Sequence, residues 1–439
     1  MKNQICLICV MLIVSIGSTV NGSNLSAGIS TINISPPLAM KFALGGYGER
    51  MNKPAEGIHD SIWAKALILK SGNRKYALIT LDLLMLPDNV KSDLIKRVPK
   101  MGWNMGNIML LPSHSHGSLE MDALNSKNNL NNPNLGIYQP ELLEFLIDKL
   151  ATLLKEADKN HQPVRIGTGS QVVEGLNQNR RKDPEIEKEL IVTRVDLENG
   201  KPLAVLVNWT AHPTFLDGPD MLLSAEWPGY LQTNLEQMIG KGVTAMYYNG
   251  SEGDQAPILE GTQKGYEKIE IYGKKIADHA FDLYKNIESK EVTEFKYNYN
   301  SLKLPKHIAH PSFMKTGGEE YGLNEKTVKI AMDMLGPKRV IIGAVRIGDL
   351  IISGAPGEMS AVLGQHIKKI LKTDGIKFVA IGGLANQWIS YILSKDQYLY
   401  GEGYESSMSF YGPNLGAVIS DEAIKIALPL IKNDKKLKL

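Results

Sequence analysis

From Ser26 onward, short runs rich in β-branched and aromatic residues alternate with stretches whose apolar residues recur every three or four positions. A period near two giving way repeatedly to one near 3.6 predicts strands and helices in turn, and hence an α/β domain whose sheet is covered by helices. Strands are predicted at 63–69, 76–81, 107–111, 189–195, 203–209, 244–248, 340–345, 350–353 and 376–382. Helices are predicted at 140–157, 228–238, 263–287, 324–334, 359–371 and 417–431. The expected fold is a layered mixed β-sheet core flanked by helices. The hydrophilic run 285–306 reads as a hinge, yet the motifs that carry chemistry fall on both sides of it. One catalytic domain over 23–439 is therefore expected.

The first 22 residues read as an export signal. Lys2 supplies the positive start, an apolar run follows from Ile5 to Gly17, and Val20-Asn21-Gly22 offers small residues for cleavage after Gly22. That run falls short of the ~18 to 20 apolar residues needed to span a bilayer. The mature chain is expected to be a bacterial exported protein, periplasmic or secreted, with no stable membrane insertion. Both cysteines, Cys6 and Cys9, lie inside the signal. Disulfides, thiolate nucleophiles and Cys-ligated zinc are thus excluded from the mature chain, and a metal would have to be held by His, Asp, Glu or Tyr. Lys plus Arg total 49 against 47 Asp plus Glu, so no basic excess points to a nucleic-acid partner.

Histidines at strand ends carry the chemistry. Ser113-His114-Ser115-His116-Gly117 follows the apolar run 107–111, and in extended backbone two residues apart face the same way, so both imidazoles can converge. His212 follows another apolar run in Asn208-Trp209-Thr210-Ala211-His212-Pro213-Thr214. His161, His279, His307, His310 and His366 lack that setting, and His59 precedes a strand rather than following one. A third strand closes with Asn249-Gly250-Ser251-Glu252-Gly253-Asp254-Gln255-Ala256-Pro257, a near miss to the nucleophile elbow of α/β hydrolases, with Ser251 as the nucleophile. An elbow leads straight into a helix, whereas here Pro257 follows soon after and no helical pattern begins before Gln263. Glu358, in Ala355-Pro356-Gly357-Glu358, stands at a strand-to-helix junction either as a helix-start carboxylate or as a ligand. The polar loop with Asn177, Asn179, Arg180 and Arg181 reads either as a solvated charge run or as a site for an anionic or sugar-like group.

In this order the motifs resemble the neutral, non-lysosomal ceramidase family from about Ala27 to Ala417. The opening Gly28-Ile29-Ser30-Thr31-Ile32-Asn33-Ile34-Ser35-Pro36, then Gly46-Tyr47, Gly57-Ile58-His59-Asp60 and Asp82, are similar to the family's first elements. Its Thr-His-Thr-His appears as Ser113-His114-Ser115-His116, its Trp-x-x-His-Pro-Thr as Trp209, His212, Pro213 and Thr214, and its Pro-Gly-Glu as Pro356-Gly357-Glu358. Its Asn-x-Tyr-x-x-Tyr appears with Asn386, Trp388 at the first tyrosine and Tyr391, followed by Tyr404-Glu405 and Tyr411-Gly412-Pro413. The resemblance implies one zinc ion bound by His114, His212, Glu358 and Tyr391, with His116 at the reaction centre. Two departures stand out. The family's Gly-Asp-Val-Ser-Pro serine is Ala256 here, and its C-terminal immunoglobulin-like domain has no counterpart before the sequence stops.

The expectation is a zinc-dependent hydrolase of an amide or ester bond, with zinc-bound water as nucleophile and a small lipid- or glycan-derived substrate. His116, Asp254 and Tyr391 form the expected catalytic set, and Arg180, Arg181 and Asn249 the substrate-binding set. A catalytically inactive zinc-containing ligand-binding protein, prompted by Ala256, and a serine hydrolase using Ser251 remain the alternatives.

Overall fold

The computed structural model describes residues 25–400 and 403–431. The export signal expected at 1–22, and both cysteines with it, lie outside the described residues. Twelve strands build two sheets: β1 (Ser26–Asn33), β2 (Trp63–Ser71), β3 (Arg74–Leu81), β4 (Ile108–Pro112), β5 (Gln162–Val172), β6 (Glu189–Leu197), β7 (Pro202–Trp209) and β8 (Thr244–Asn249) in the first, β9 (Phe295–Lys303), β10 (Arg339–Ile347), β11 (Leu350–Gly354) and β12 (Phe378–Gly382) in the second. The first sheet runs β8-β7-β6-β5-β1-β2-β3-β4 and the second β9-β10-β11-β12. Three neighbouring pairs are parallel, β3 with β4, β7 with β8 and β11 with β12, and the rest are antiparallel.

The strands read as near-continuous apolar runs because both faces of each sheet are covered. Along β2, Leu67 and Leu69 point into a core shared with Val345, Ile347, Ile352 and Ala380 of the second sheet. Their neighbours Ala64, Ala66 and Ile68 face the other way, onto helices. Successive side chains alternate faces in a strand, so a strand buried on both sides needs an apolar residue at nearly every position. The helices form the two outer layers. Over the first sheet lie α1 (Asp88–Arg97), α2 (Pro140–Ala157), α3 (Glu226–Ile239) and α4 (Gly265–Lys285). Over the second lie α6 (Ala361–Leu371) and α7 (Leu415–Ile431), while α5 (Glu325–Leu335) sits apart, over the site described below. α2 shows why these segments coil: Pro140 starts it, and Leu143, Leu146, Ile147, Leu150, Leu153 and Leu154 make one buried stripe. Each such side chain contributes ~1.5–3 kcal/mol when fully buried.

The layered α/β class is as expected, with the layering built from two sheets stacked face to face. The run 285–306, expected to be a hinge, instead carries β9, paired along its whole length with β10. Its polar alternation, Lys296, Asn298 and Asn300 among them, suits an edge strand with one paired side. Among the described residues no helix is long and apolar enough to cross a membrane. The topology matters most at the carboxyl ends of β4, β7, β8, β11 and β12, which point toward one region. Ligand sites in α/β sheets form outside such ends.

Candidate metal centre and active site

β4 ends at Pro112, and the chain then turns sharply, with His114 in the left-handed region at φ +72°. A non-glycine residue there is strained by ~1–3 kcal/mol. The backbone is therefore not extended across the His-x-His pair, and the imidazoles converge through a turn rather than along one strand face. His114 Nδ1 donates to the Leu84 carbonyl at 2.9 Å. That fixes the tautomer and leaves Nε2 bare, buried and without a hydrogen-bond partner among the described residues. His212 is set up in the same way. Its Nδ1 donates to the Glu252 carbonyl at 2.6 Å, and its Nε2 faces Glu358 Oε2 at 3.0 Å. His114 Nε2 lies 3.4 Å from the same oxygen.

Glu358 reaches this point from the other sheet. A short parallel bridge, Glu358–Met359 against Tyr391–Ile392, places Glu358 beside Tyr391. Trp388 Nε1 donates to Glu358 Oε1 at 2.8 Å, so one carboxylate oxygen is held and the other is left to the histidines. Burial pushes this carboxyl up, but His114 and His212 outweigh it and hold it well below the usual carboxylate range. Tyr391 is 5% exposed, its ring stacks 6.5 Å from that of His212, and burial together with Glu358 keeps its hydroxyl protonated far above the usual range. The ring of His116 stands 4.9 Å from that of His114, and neither of its nitrogens has a hydrogen-bond partner among the described residues. Burial and the neighbouring imidazoles lower His116 well below the ordinary histidine value, so it is neutral.

Nitrogen atoms of His114, His116 and His212 all lie within 4.8 Å of one another. Two Nε2 atoms aimed at one carboxylate oxygen, each ring anchored by a backbone carbonyl behind it, fit a zinc ion in donor type and outer support. The nearest cationic group is Arg180. Its Nη2 donates to Tyr391 Oη at 2.9 Å and to the Gly253 carbonyl at 3.0 Å, and lies 3.4 Å from His212 Nε2. Its Nε pairs with Glu405 at 2.6 Å.

His114, His116, Arg180, Glu358 and Tyr391 line a cavity of about 490 Å³. Its lining is partly apolar, with Phe313, Leu323, Val328, Met332, Met408 and Phe410, and partly polar, with Tyr47, Glu120, Asp122 and Glu320. Burial, reinforced by Asp122, raises Glu120 to about 8.

Residues 26–267 match the family model described as neutral/alkaline non-lysosomal ceramidase, N-terminal. The chain belongs to this ceramidase family. It is 21% identical to the neutral ceramidase of Pseudomonas aeruginosa over 96% of this chain and 74% of that protein. It is 21% identical to the Drosophila melanogaster neutral ceramidase over 91% of this chain and 73% of that one. The crystal structure of the P. aeruginosa enzyme superposes with a TM-score of 0.80 at 20% identity, over 93% of this chain and 75% of that chain.

Within this ceramidase-family frame, the expected site residues divide. His114, His116, His212, Glu358, Tyr391 and Arg180 come together beside the cavity. Asp254, expected to be catalytic, does not reach it. It is fully buried, and its carboxylate accepts from Asn179, Gln255, Gln397 and the Ala361 amide, which leaves it no lone pair for a substrate. Asn249, expected to bind substrate, is also fully buried. It donates to the carbonyls of Ser113 and Ala211, the residues just before His114 and His212. Arg181, likewise expected to bind substrate, has a side chain 2% exposed and clamped by Glu405, Ser406 and the Gln397 carbonyl. All three brace the site from behind. Ser251 is buried with its Oγ unpartnered among the described residues, no histidine touches it, and no helix begins before Gly265, so the elbow geometry is absent. Arg50 and Glu226 support the site without any sequence signal, while Trp388, which stands where the family pattern has its first tyrosine, holds Glu358.

Proposed function

We propose that this chain hydrolyses the amide bond of a long-chain N-acyl substrate with one zinc ion held by His114, His212, Glu358 and Tyr391, and that it does so as an exported protein. The observation that carries this reading is the convergence of two backbone-anchored imidazole nitrogens, those of His114 and His212, on Glu358 Oε2 beside a cavity with apolar lining. The neutral ceramidases that the chain resembles act in the same sense on a lipid amide, and the apolar lining suits an acyl chain.

Zinc in that position supplies Lewis acidity, polarising the amide carbonyl and acidifying water. The chain's own groups do the rest. His116 is neutral, has no ring partner and stands beside the cluster, so it can take the proton that water loses on adding to the carbonyl carbon. The same ring then returns that proton to the amide nitrogen as the C–N bond breaks, giving a carboxylic acid and an amine. Arg180 N–H groups, next to Tyr391 Oη, offer donors where negative charge develops on the carbonyl oxygen. Water as the nucleophile accords with Ala256 standing where the family serine would be.

The test combines elemental analysis with turnover on acyl amides and esters of graded chain length. About one zinc per chain, lost in His114→Ala and His212→Ala, and preference for long-chain amides are expected. Full zinc in His114→Ala would sink the metal site. Zinc-loaded protein inert toward every acyl amide would leave the ligand-binding alternative.

A further inference from the structure

His116 poses a problem of aim. Catalytic histidines are commonly held by a carboxylate or carbonyl on the second ring nitrogen, as His114 and His212 are here. Neither ring nitrogen of His116 has such a partner among the described residues. Whatever orients this imidazole must therefore act through its backbone or by packing.

The backbone is gripped on both sides. Glu226 Oε1 accepts the His116 amide N–H at 3.1 Å. On the other side, Arg50 Nη1 donates to the His116 carbonyl at 2.6 Å and also to the Gly45 carbonyl. Both gripping residues are deeply buried, Glu226 at 0% and Arg50 at 2% exposure. The remaining Arg50 donors are spent on the carbonyls of Gly218, Asp217 and Asp220. Glu226 opens α3 in the left-handed region at φ +51°, and its Oε2 has no hydrogen-bond partner among the described residues. A buried carboxyl group in a strained conformation with one oxygen unpaired is costly on both counts. Its turn is held by Asp60, which accepts from Ser224 Oγ and the Ala225 amide, while Ser224 Oγ accepts the Glu226 amide. Packing completes the seat. The Tyr47 ring stands 5.1 Å from His116, and a Cβ on Gly46 would lie 2.5 Å from His116 Nδ1, so only glycine fits there.

We propose that Glu226 and Arg50 are positioning residues that clamp the peptide of His116 and so aim its imidazole into the cavity, a role that rests on His116 being the proton-transfer group. The clamp works through hydrogen-bond reach rather than through charge at the ring. Misplacement by ~1 Å at a reacting centre costs up to about 100-fold in rate.

Two conservative variants separate reach from the chemical identity of the group. Glu226→Gln keeps an oxygen at the same distance, and Glu226→Asp keeps the carboxyl group but shortens the arm by one methylene. On the long-chain N-acyl amide, Glu226→Gln should keep kcat within a few-fold. Glu226→Asp should lose about 10- to 100-fold in kcat, with KM and zinc content unchanged. The reverse pattern, or full kcat in Glu226→Asp, overturns the clamp. His116→Ala separates this failure from that of the underlying reading. Full activity there removes the proton-transfer role and the clamp with it, whereas an impaired His116→Ala beside two fully active Glu226 variants overturns the clamp alone.

Discussion

Trp388 stands where the family pattern has a tyrosine, and it keeps a donor on Glu358 Oε1 with a rigid indole instead of a phenol. With that oxygen engaged, rotation of the carboxylate is checked and Oε2 stays turned to the histidines. Outer partners of this kind are typically worth 10- to 100-fold in metal affinity. Trp388→Phe should weaken zinc binding by about that factor in a chelator competition, and an unchanged affinity would assign the indole to packing alone. Lys91 makes a separate case. It is 1% exposed and donates to the carbonyls of Met105 and Ile108 and to Asn386 Oδ1, with no carboxylate near, and burial lowers it to about 7. An unfolded lysine titrates near ~10.4. Between those values the unfolded chain holds the extra proton, so this site's penalty is full below pH about 7 and is relieved as pH rises. The melting temperature of the native chain should therefore gain on that of Lys91→Met between pH 7 and 9, and parallel curves would refute the shift. His114 and His212 were legible because apolar strands precede them. Arg181 and Asn249 sit behind the site, and spacing cannot reveal this, because a polar residue's setting depends on partners far along the chain, such as Glu405 and Ser113.

Helix α5 is capped by Asn324 and Thr327 in a reciprocal pair, and its buried face, Val328, Ala331 and Met332, belongs to the apolar lining of the cavity. Its other face, with Lys326 and Lys329, is exposed. Val328→Asp should raise KM for long-chain amides about tenfold, since a carboxylate against an acyl chain costs ~1–3 kcal/mol. Short-chain amides should be spared, and an equal loss for both would mean that the acyl chain lies elsewhere. At this scale the sequence reading was most faithful where periodicity was strong: α2 was read from Pro140 to Ala157, as the structure has it. The expected strands do not include β1, with its polar Ser30, Thr31 and Asn33; β5, where Gly167, Gly169 and Ser170 dilute the apolar alternation; or β9, whose exposed edge tolerates polar residues. Nor do the expected helices include α1, short and rich in polar residues, whose place is fixed by packing on α2 rather than by its own propensity.

The two sheets are joined by more than side-chain packing. Asn208, at the end of β7, donates to the carbonyls of Tyr248 and Asn249 in its own sheet and of Ile381 in the other. Asn208→Ala would remove these three buried hydrogen bonds, at a cost of ~1–3 kcal/mol, so its denaturation midpoint should fall, and an unchanged midpoint would show the bridge to be dispensable. The face-to-face stacking itself could not be read from hydropathy, because a strand buried between helices and sheet looks the same as one buried between two layers of helices. His114 and His212 follow strand ends of the first sheet, and Glu358 and Tyr391 pair in a short bridge that follows strands of the second. A ribosome makes His114 long before Tyr391, so the four proposed ligands can meet only once both sheets have been made and packed together. An ion held by all four would therefore report that the two halves have met.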